Sequence, residues 1–124
     1  MKGLVFDGKG FKELKTDGEN NLIAWYKAID CDCIDIVSRK VGGKYLEIVC
    51  DDEGLLKGSP VVTAINKQNK SEVMLVGSLV FYGGVDANGD LIDITKDDVK
   101  RIKSNTVMYL DKELGVRLAV MLDY

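Results

Sequence analysis

The stretch Cys33-Ile-Asp-Ile-Val-Ser-Arg-Lys-Val41, Gly42-Gly43, Lys44-Tyr-Leu-Glu-Ile-Val-Cys-Asp51 decides the architecture. Both arms are rich in β-branched residues and carry a strand-like period. A two-residue Gly-Gly loop suits the primed turns of hairpins, which need positive φ. That turn sets the register: Val41 opposite Lys44, Arg39 opposite Leu46, Val37 opposite Ile48 and Asp35 opposite Cys50. The other face pairs Lys40 with Tyr45, Ser38 with Glu47 and Ile36 with Val49. Arg39 therefore interrupts an otherwise apolar row.

Upstream of the hairpin, Gly3 to Asp7 reads as a short strand. Gly8 to Gly18 reads as a loop or a second short strand around Phe11 and Leu14. Asn20-Asn21 can cap a helix through Asp30, with Leu22, Tyr26 and Ile29 along one face and Trp25 beside it. Downstream, Asp51 to Gly54 is a turn, Leu55 to Pro60 is irregular, and Val61 to Asn66 reads as a short helix. Ser71 to Tyr82 holds the most apolar stretch and predicts one central strand. Gly83-Gly84 bends it, and Asn88-Gly89 makes a second hairpin turn returning through Leu91 to Ile94.

Thr95-Lys-Asp-Asp98 is a capping-box variant that opens a helix bearing Val99, Ile102 and several exposed cations, ending about Asn105. Val107 to Leu110 and Val116 to Leu122 read as closing strands around the turn Asp111 to Gly115. The prediction is a single α+β domain over residues 1–124, with a mostly antiparallel sheet, two main helices and one core.

Composition narrows the function. With 124 residues, 46% apolar and 30% charged, the chain is globular and can bury roughly two-thirds of its unfolded surface. No apolar run approaches the roughly 20 residues of a membrane helix, and Met1 to Asp7 lacks the apolar stretch of a signal peptide. The expected location is the cytosol. Seventeen basic residues against 20 acidic ones leave a net charge of −3. The scattered cations offer no footprint for duplex DNA or a membrane surface. A small anion needs only a few local cations, so it stays a candidate.

Histidine is absent, which removes Ser-His-Asp and Cys-His catalysis, histidine metal sites and histidine pH switching. Lys57-Gly-Ser59 lacks the glycine spacing of a phosphate loop. Asp86-Ala-Asn-Gly-Asp90 fails as a calcium loop, because Leu91 and Asp97 stand where glycine and glutamate are required. Asp51-Asp-Glu53 reads as a strand-end turn, and Asp97-Asp98 as carboxylates facing a helix dipole. Cys31 and Cys33 are spaced to share a strand face as small core residues; with Cys50 they form no zinc or redox framework. The chain reads as a binding protein, not an enzyme, with no metal and no cofactor.

Candidate binding residues follow from type and position. Arginine grips phosphate in a bidentate fork, and the chain has three: Arg39, Arg101 and Arg117. Phe81 and Tyr82 end the apolar strand beside Gly83-Gly84, where backbone can approach a ligand. An aromatic face with nearby cations suits a purine nucleotide. The competing reading puts Phe81 in the core and the arginines on the solvated surface.

The segments Val41-Gly-Gly-Lys-Tyr-Leu-Glu-Ile-Val49, Asp52-Glu-Gly-Leu-Leu-Lys-Gly-Ser-Pro60 and Val76-Gly-Ser-Leu-Val-Phe81 resemble a family of small phage and plasmid proteins, and within it the Thoeris anti-defence sponges. The resemblance implies sequestration, without cleavage, of glycocyclic ADP-ribose, a cyclic ADP-ribose isomer that a TIR enzyme makes from NAD. It also implies a homodimer assembling into a higher symmetric oligomer, with cyclic oligonucleotides as a further partner of some members. The matching candidates are Phe81 or Tyr82 for the adenine, Asn88 for a ribose or base edge, and Arg101 with Lys57 for the phosphates. Arg39 and Trp25 are further candidates from the residue pattern alone. The alternative function is a phage accessory protein that inhibits a host defence protein by binding it directly.

Overall fold

In chain order the computed structural model, which describes residues 1–17, 21–31, 33–54 and 61–123, runs β1 (Lys2–Phe6), β2 (Phe11–Lys15), α1 (Asn21–Ile29), β3 (Ile34–Val41), β4 (Lys44–Asp51), β5 (Val62–Asn66), β6 (Val73–Val76), β7 (Leu79–Tyr82), α2 (Lys96–Ser104), β8 (Thr106–Asp111) and β9 (Gly115–Leu122). One sheet has the order β2-β1-β7-β4-β3 and the other β6-β5-β9-β8. All neighbours are antiparallel except β5 and β9. The α+β class with two helices holds. The strands divide between two sheets where the sequence suggested one.

Local turn chemistry explains the part that matches best. Gly42 and Gly43 adopt φ of 53° and 90°, and every pair from Ile34↔Asp51 to Val41↔Lys44 follows the register the turn requires. The capping box also forms: the Asp98 N–H donates to Thr95 Oγ1, and the Thr95 N–H donates to the Asp98 carboxylate.

Three expectations change. The apolar run expected as one central strand breaks at Gly77 (φ 74°), whose N–H donates to the Val61 carbonyl. Its first half, β6, joins the second sheet, while β7 takes the centre of the first. A run apolar on both faces cannot reveal such a split, because each half is buried in its own sheet. Val62–Asn66 is a strand and not a helix, since its β-branched residues pair with β6 and, in parallel, with β9. Leu91 makes a single bridge to Val85 in place of a returning strand.

The main core lies where the two sheets and α2 meet. It joins Phe6, Leu46, Ile48 and Phe81 of the first sheet to Ala64, Leu75, Val120 and Leu122 of the second, with Ile102 of α2. Each large side chain fully buried here contributes about 1.5–3 kcal/mol. The opposite face of β7 is covered by α1, through Trp25 and Ile29 against Val49, Val80 and Tyr82. The buried stripe of α1 is therefore Trp25 and Ile29, and Leu22, expected on it, is 52% exposed.

The cysteines divide. Cys50 is buried, and burial, reinforced by the Asp35 carboxylate, pushes its thiol up to about 11. Cys33 is exposed and Cys31 half-buried, because they precede β3 instead of lying within it, so the shared core face does not form.

Candidate functional site

Helix α2 and the β1–β2 hairpin enclose a groove of about 460 Å³. Its apolar surface is Leu4, Phe11, Ile94 and Val99, and five lysines surround it: Lys2, Lys12, Lys96, Lys100 and Lys103. Lys96, Lys100 and Lys103 recur at the i, i+4, i+7 spacing that puts side chains on one helix face. One carboxylate, Glu13, also lines it, and Lys15 stands 3.5 Å from that carboxylate. In a chain of net charge −3, this is a local reversal of sign.

The groove walls are tied together. The Ile94 N–H donates to the Lys2 carbonyl at 2.8 Å, and the Lys2 N–H donates to Asp93 Oδ1 at 3.0 Å. At the start of α2, Asp98 is 1% exposed and receives Lys44 Nζ at 2.7 Å. Burial works to raise the Asp98 carboxyl, but the bonds from Lys44 and Thr95 outweigh it and hold the group below its ordinary range. The helix that carries three of the five lysines is thus clamped to the β3–β4 hairpin.

Phe11 supplies the aromatic element. One side of its ring stacks on Phe6, with centroids 4.7 Å apart, and Lys103 Nζ lies 5.7 Å from the ring centroid. Such a groove can take a small polyanion carrying a flat or apolar part. The ammonium groups meet the anion, and the Phe11 edge with Val99 meets the remainder.

A second concave region lies at the mouth between β3 and the β5–β6 turn. Lys40, Tyr45, Lys67, Gln68 and Asp123 line a cavity of about 550 Å³. Next to it, Arg39, Asn66, Gln68, Glu72, Met74 and Asp123 line one of about 540 Å³. Here cations and carboxylates alternate, and Lys67 already reaches Asp123 at 3.7 Å. Its charge is nearly balanced, so it attracts a diphosphate less than the lysine groove does.

The residues expected from sequence do not converge on one site. Phe81 is 0% exposed, between Leu4 and Ile48 on its neighbouring strands, and presents no ring face. Tyr82 is equally buried, and its hydroxyl accepts the Trp25 Nε1–H bond at 2.8 Å; burial, partly offset by that bond, raises its phenol. Trp25 and Tyr82 do meet, but as the cluster under α1. Both faces of β7 are covered because it is central in its sheet, so the ring at its end packs and does not stack on a ligand.

Arg101 directs Nη1 to the Gly42 carbonyl at 2.5 Å, joining α2 to the hairpin turn. Arg39 directs Nη1 to the Ser38 carbonyl at 2.8 Å and lines the mixed-charge mouth. Asn88 is exposed in a turn, where its N–H donates to Asp86 Oδ1. Lys57 lies outside the described residues. The groove instead gathers Phe11 and lysines that the sequence candidates leave out, and their one legible signal is the i, i+4, i+7 lysine row of α2.

Among the described residues, no three Cys, Asp or Glu side chains gather as a metal site, and no helix is long and apolar enough to cross a membrane. No curated protein and no solved structure matches the chain. Residues 1–106, which include every residue lining the lysine groove, match the DUF3846 family, a domain of unknown function. The chain belongs to the DUF3846 family.

Proposed function

We propose that this chain is a phage anti-defence protein that binds glycocyclic ADP-ribose, a TIR-derived cyclic ADP-ribose isomer, in the host cytosol and holds it uncleaved, so that Thoeris immunity is not triggered. The observation that carries this reading is the convergence of Lys2, Lys12, Lys96, Lys100 and Lys103 around the Phe11 groove. The sequence resemblance names the ligand; the groove supplies matching chemistry. Its volume of about 460 Å³ suits a small molecule.

The pyrophosphate lies against the α2 lysines, the adenine against the Phe11 edge and Val99, and ribose hydroxyls within reach of Glu13 and Thr95. Each charge-assisted hydrogen bond contributes about 1.5–3 kcal/mol, and an edge-on aromatic contact about 0.5–1.5 kcal/mol. A sponge needs nanomolar affinity, about −12 kcal/mol, so several such contacts must act together. Lysine ammonium groups stabilise the bound anion without activating a water, which suits retention rather than turnover.

Titration calorimetry of the purified protein with glycocyclic ADP-ribose tests this reading. The expected result is saturable nanomolar binding that weakens as salt rises, with ligand recovered chemically unchanged after heat denaturation. Absence of binding, or recovery of a cleaved product, contradicts it.

A further inference from the structure

The mouth between β3 and the β5–β6 turn holds two buried polar atoms without a hydrogen-bond partner among the described residues, Arg39 Nε and Asp123 Oδ1. Both residues line the same cavity of about 540 Å³. The Nε atoms of Arg101 and Arg117 are unpaired too, but Asp123 Oδ1 is the one unpaired buried acceptor among the described residues. Most buried donors and acceptors in folded proteins are satisfied, and leaving one open lowers stability. A donor and an acceptor open on one polar cavity are a matched pair of contacts for a ligand.

Strand pairing brings the two residues together and fixes them. Arg39 lies opposite the fully buried Leu46 in the hairpin register, and its Nη1 donates to the Ser38 carbonyl at 2.8 Å. Asp123 follows β9, whose parallel pairing sets Leu122 beside Asn66. The Asp123 N–H donates to the Lys40 carbonyl at 2.7 Å, and the Gly43 N–H donates to Asp123 Oδ2 at 2.8 Å. One carboxylate oxygen is thus anchored to the β3–β4 turn. The other, Oδ1, has Lys67 Nζ at 3.7 Å, beyond hydrogen-bond length, and that ammonium donates to Asn105 Oδ1 at 3.3 Å. Both binding groups are held in advance, so a ligand need not order them.

The lining selects the charge of that ligand. Arg39, Lys40 and Lys67 share the two adjoining cavities with Glu72 and Asp123. A diphosphate meets two carboxylates here and a polyamine meets three cations, so part of the lining opposes each. A dipolar ion satisfies both signs. The Nε–H of Arg39 belongs to the side-on edge of the guanidinium, which grips a carboxylate with two parallel bonds. An ammonium finds its acceptor at Asp123 Oδ1, because Glu72 Oε2 already receives Asn66 Nδ2 at 3.3 Å. Met74 adds an apolar contact.

We infer that this mouth is a second ligand site, for a free α-amino acid, with its carboxylate on Arg39, its ammonium on Asp123 and its side chain against Met74. The ammonium and carboxylate of an α-amino acid are held close together, as are the donor and acceptor that line this one cavity. The cavity volume of about 540 Å³ falls within the range of small-molecule sites. The site is independent of the glycocyclic ADP-ribose reading, because no residue lines both it and the lysine groove.

Saturation-transfer NMR of the full chain with the standard L-α-amino acids, one at a time, tests it. The best binder is expected to titrate to saturation in the micromolar to millimolar range. Its α-carboxamide, which lacks the carboxylate, and its des-amino acid, which lacks the ammonium, are each expected to bind at least roughly tenfold more weakly. Two variants then separate the contacts. Asp123→Asn is expected to weaken the amino acid at least roughly tenfold and leave the des-amino acid unchanged. Arg39→Lys keeps the charge but loses the fork, and is expected to weaken the amino acid and the des-amino acid while leaving the carboxamide unchanged. A merely structural role would weaken all three probes alike, and circular dichroism checks that both variants are folded. Saturable binding by none of the amino acids, analogues that bind as tightly as the parent, a uniform loss in both variants, or displacement of the amino acid by inorganic pyrophosphate would overturn the inference.

Discussion

Phe81 and Phe11 lie two strands apart in the same sheet, and their surroundings give them different work. Phe81 sits on the central strand with both faces of the sheet covered, and its ring packs within the main apolar core. Phe11 sits on an edge strand, stacked on Phe6 on one side and bordered by lysines on the other. An aromatic residue at the centre of a sheet consolidates the fold. The same residue at the edge, beside a cationic helix, can meet a ligand. Strand order, not residue type, makes the difference.

The sharpest way to break that comparison is to truncate each ring. Phe81→Ala is expected to cost about 3–5 kcal/mol, because it leaves a large cavity in a packed core. Urea unfolding should show the loss, and a change below about 1 kcal/mol would mean that the ring is not a core element.

The clamp behind the groove comes next. Asp98→Asn is expected to cost about 1–3 kcal/mol, discounted because Lys44 is partly solvated. Asp98 has a depressed carboxyl, so its contribution is present above the ordinary value of 3.8 and is lost as pH falls through the lower folded value. The stability gap between wild type and Asp98→Asn should therefore be constant near neutral pH and close below 3.8. A gap unchanged in acid would contradict the assignment.

Phe11→Ala has the smallest expected effect on folding, about 1–2 kcal/mol, from the lost stack on Phe6 and partial burial. Its effect on glycocyclic ADP-ribose affinity, from the lost edge-on aromatic contact, is expected to be about tenfold. Equal affinity in the variant and the wild type would remove Phe11 from the site while leaving the lysines in it.

The limits of the sequence reading follow the range of the interactions. The Gly42-Gly43 register and the Thr95–Asp98 box are legible because each is set within a few residues by turn or cap geometry. The break at Gly77 and the strand character of Val62–Asn66 depend on partners in another sheet, which periodicity does not report.

The same holds for the site. Arginine's fitness for phosphate points to Arg39 and Arg101, yet both spend a guanidinium donor on backbone carbonyls of the β3–β4 hairpin. The lysine row of α2 is visible in sequence, but its meeting with Lys2, Lys12 and Phe11 exists only once β1 and β2 pack beside that helix.

Whether the lysine groove holds the ligand is read by native mass spectrometry of the protein with glycocyclic ADP-ribose, comparing wild type with Lys100→Glu/Lys103→Glu after circular dichroism has verified that both are folded. Wild type is expected to carry the ligand and release it at unchanged mass on heating, while the variant carries none. Equal ligand occupancy in the two proteins, or a ligand of altered mass, would contradict it.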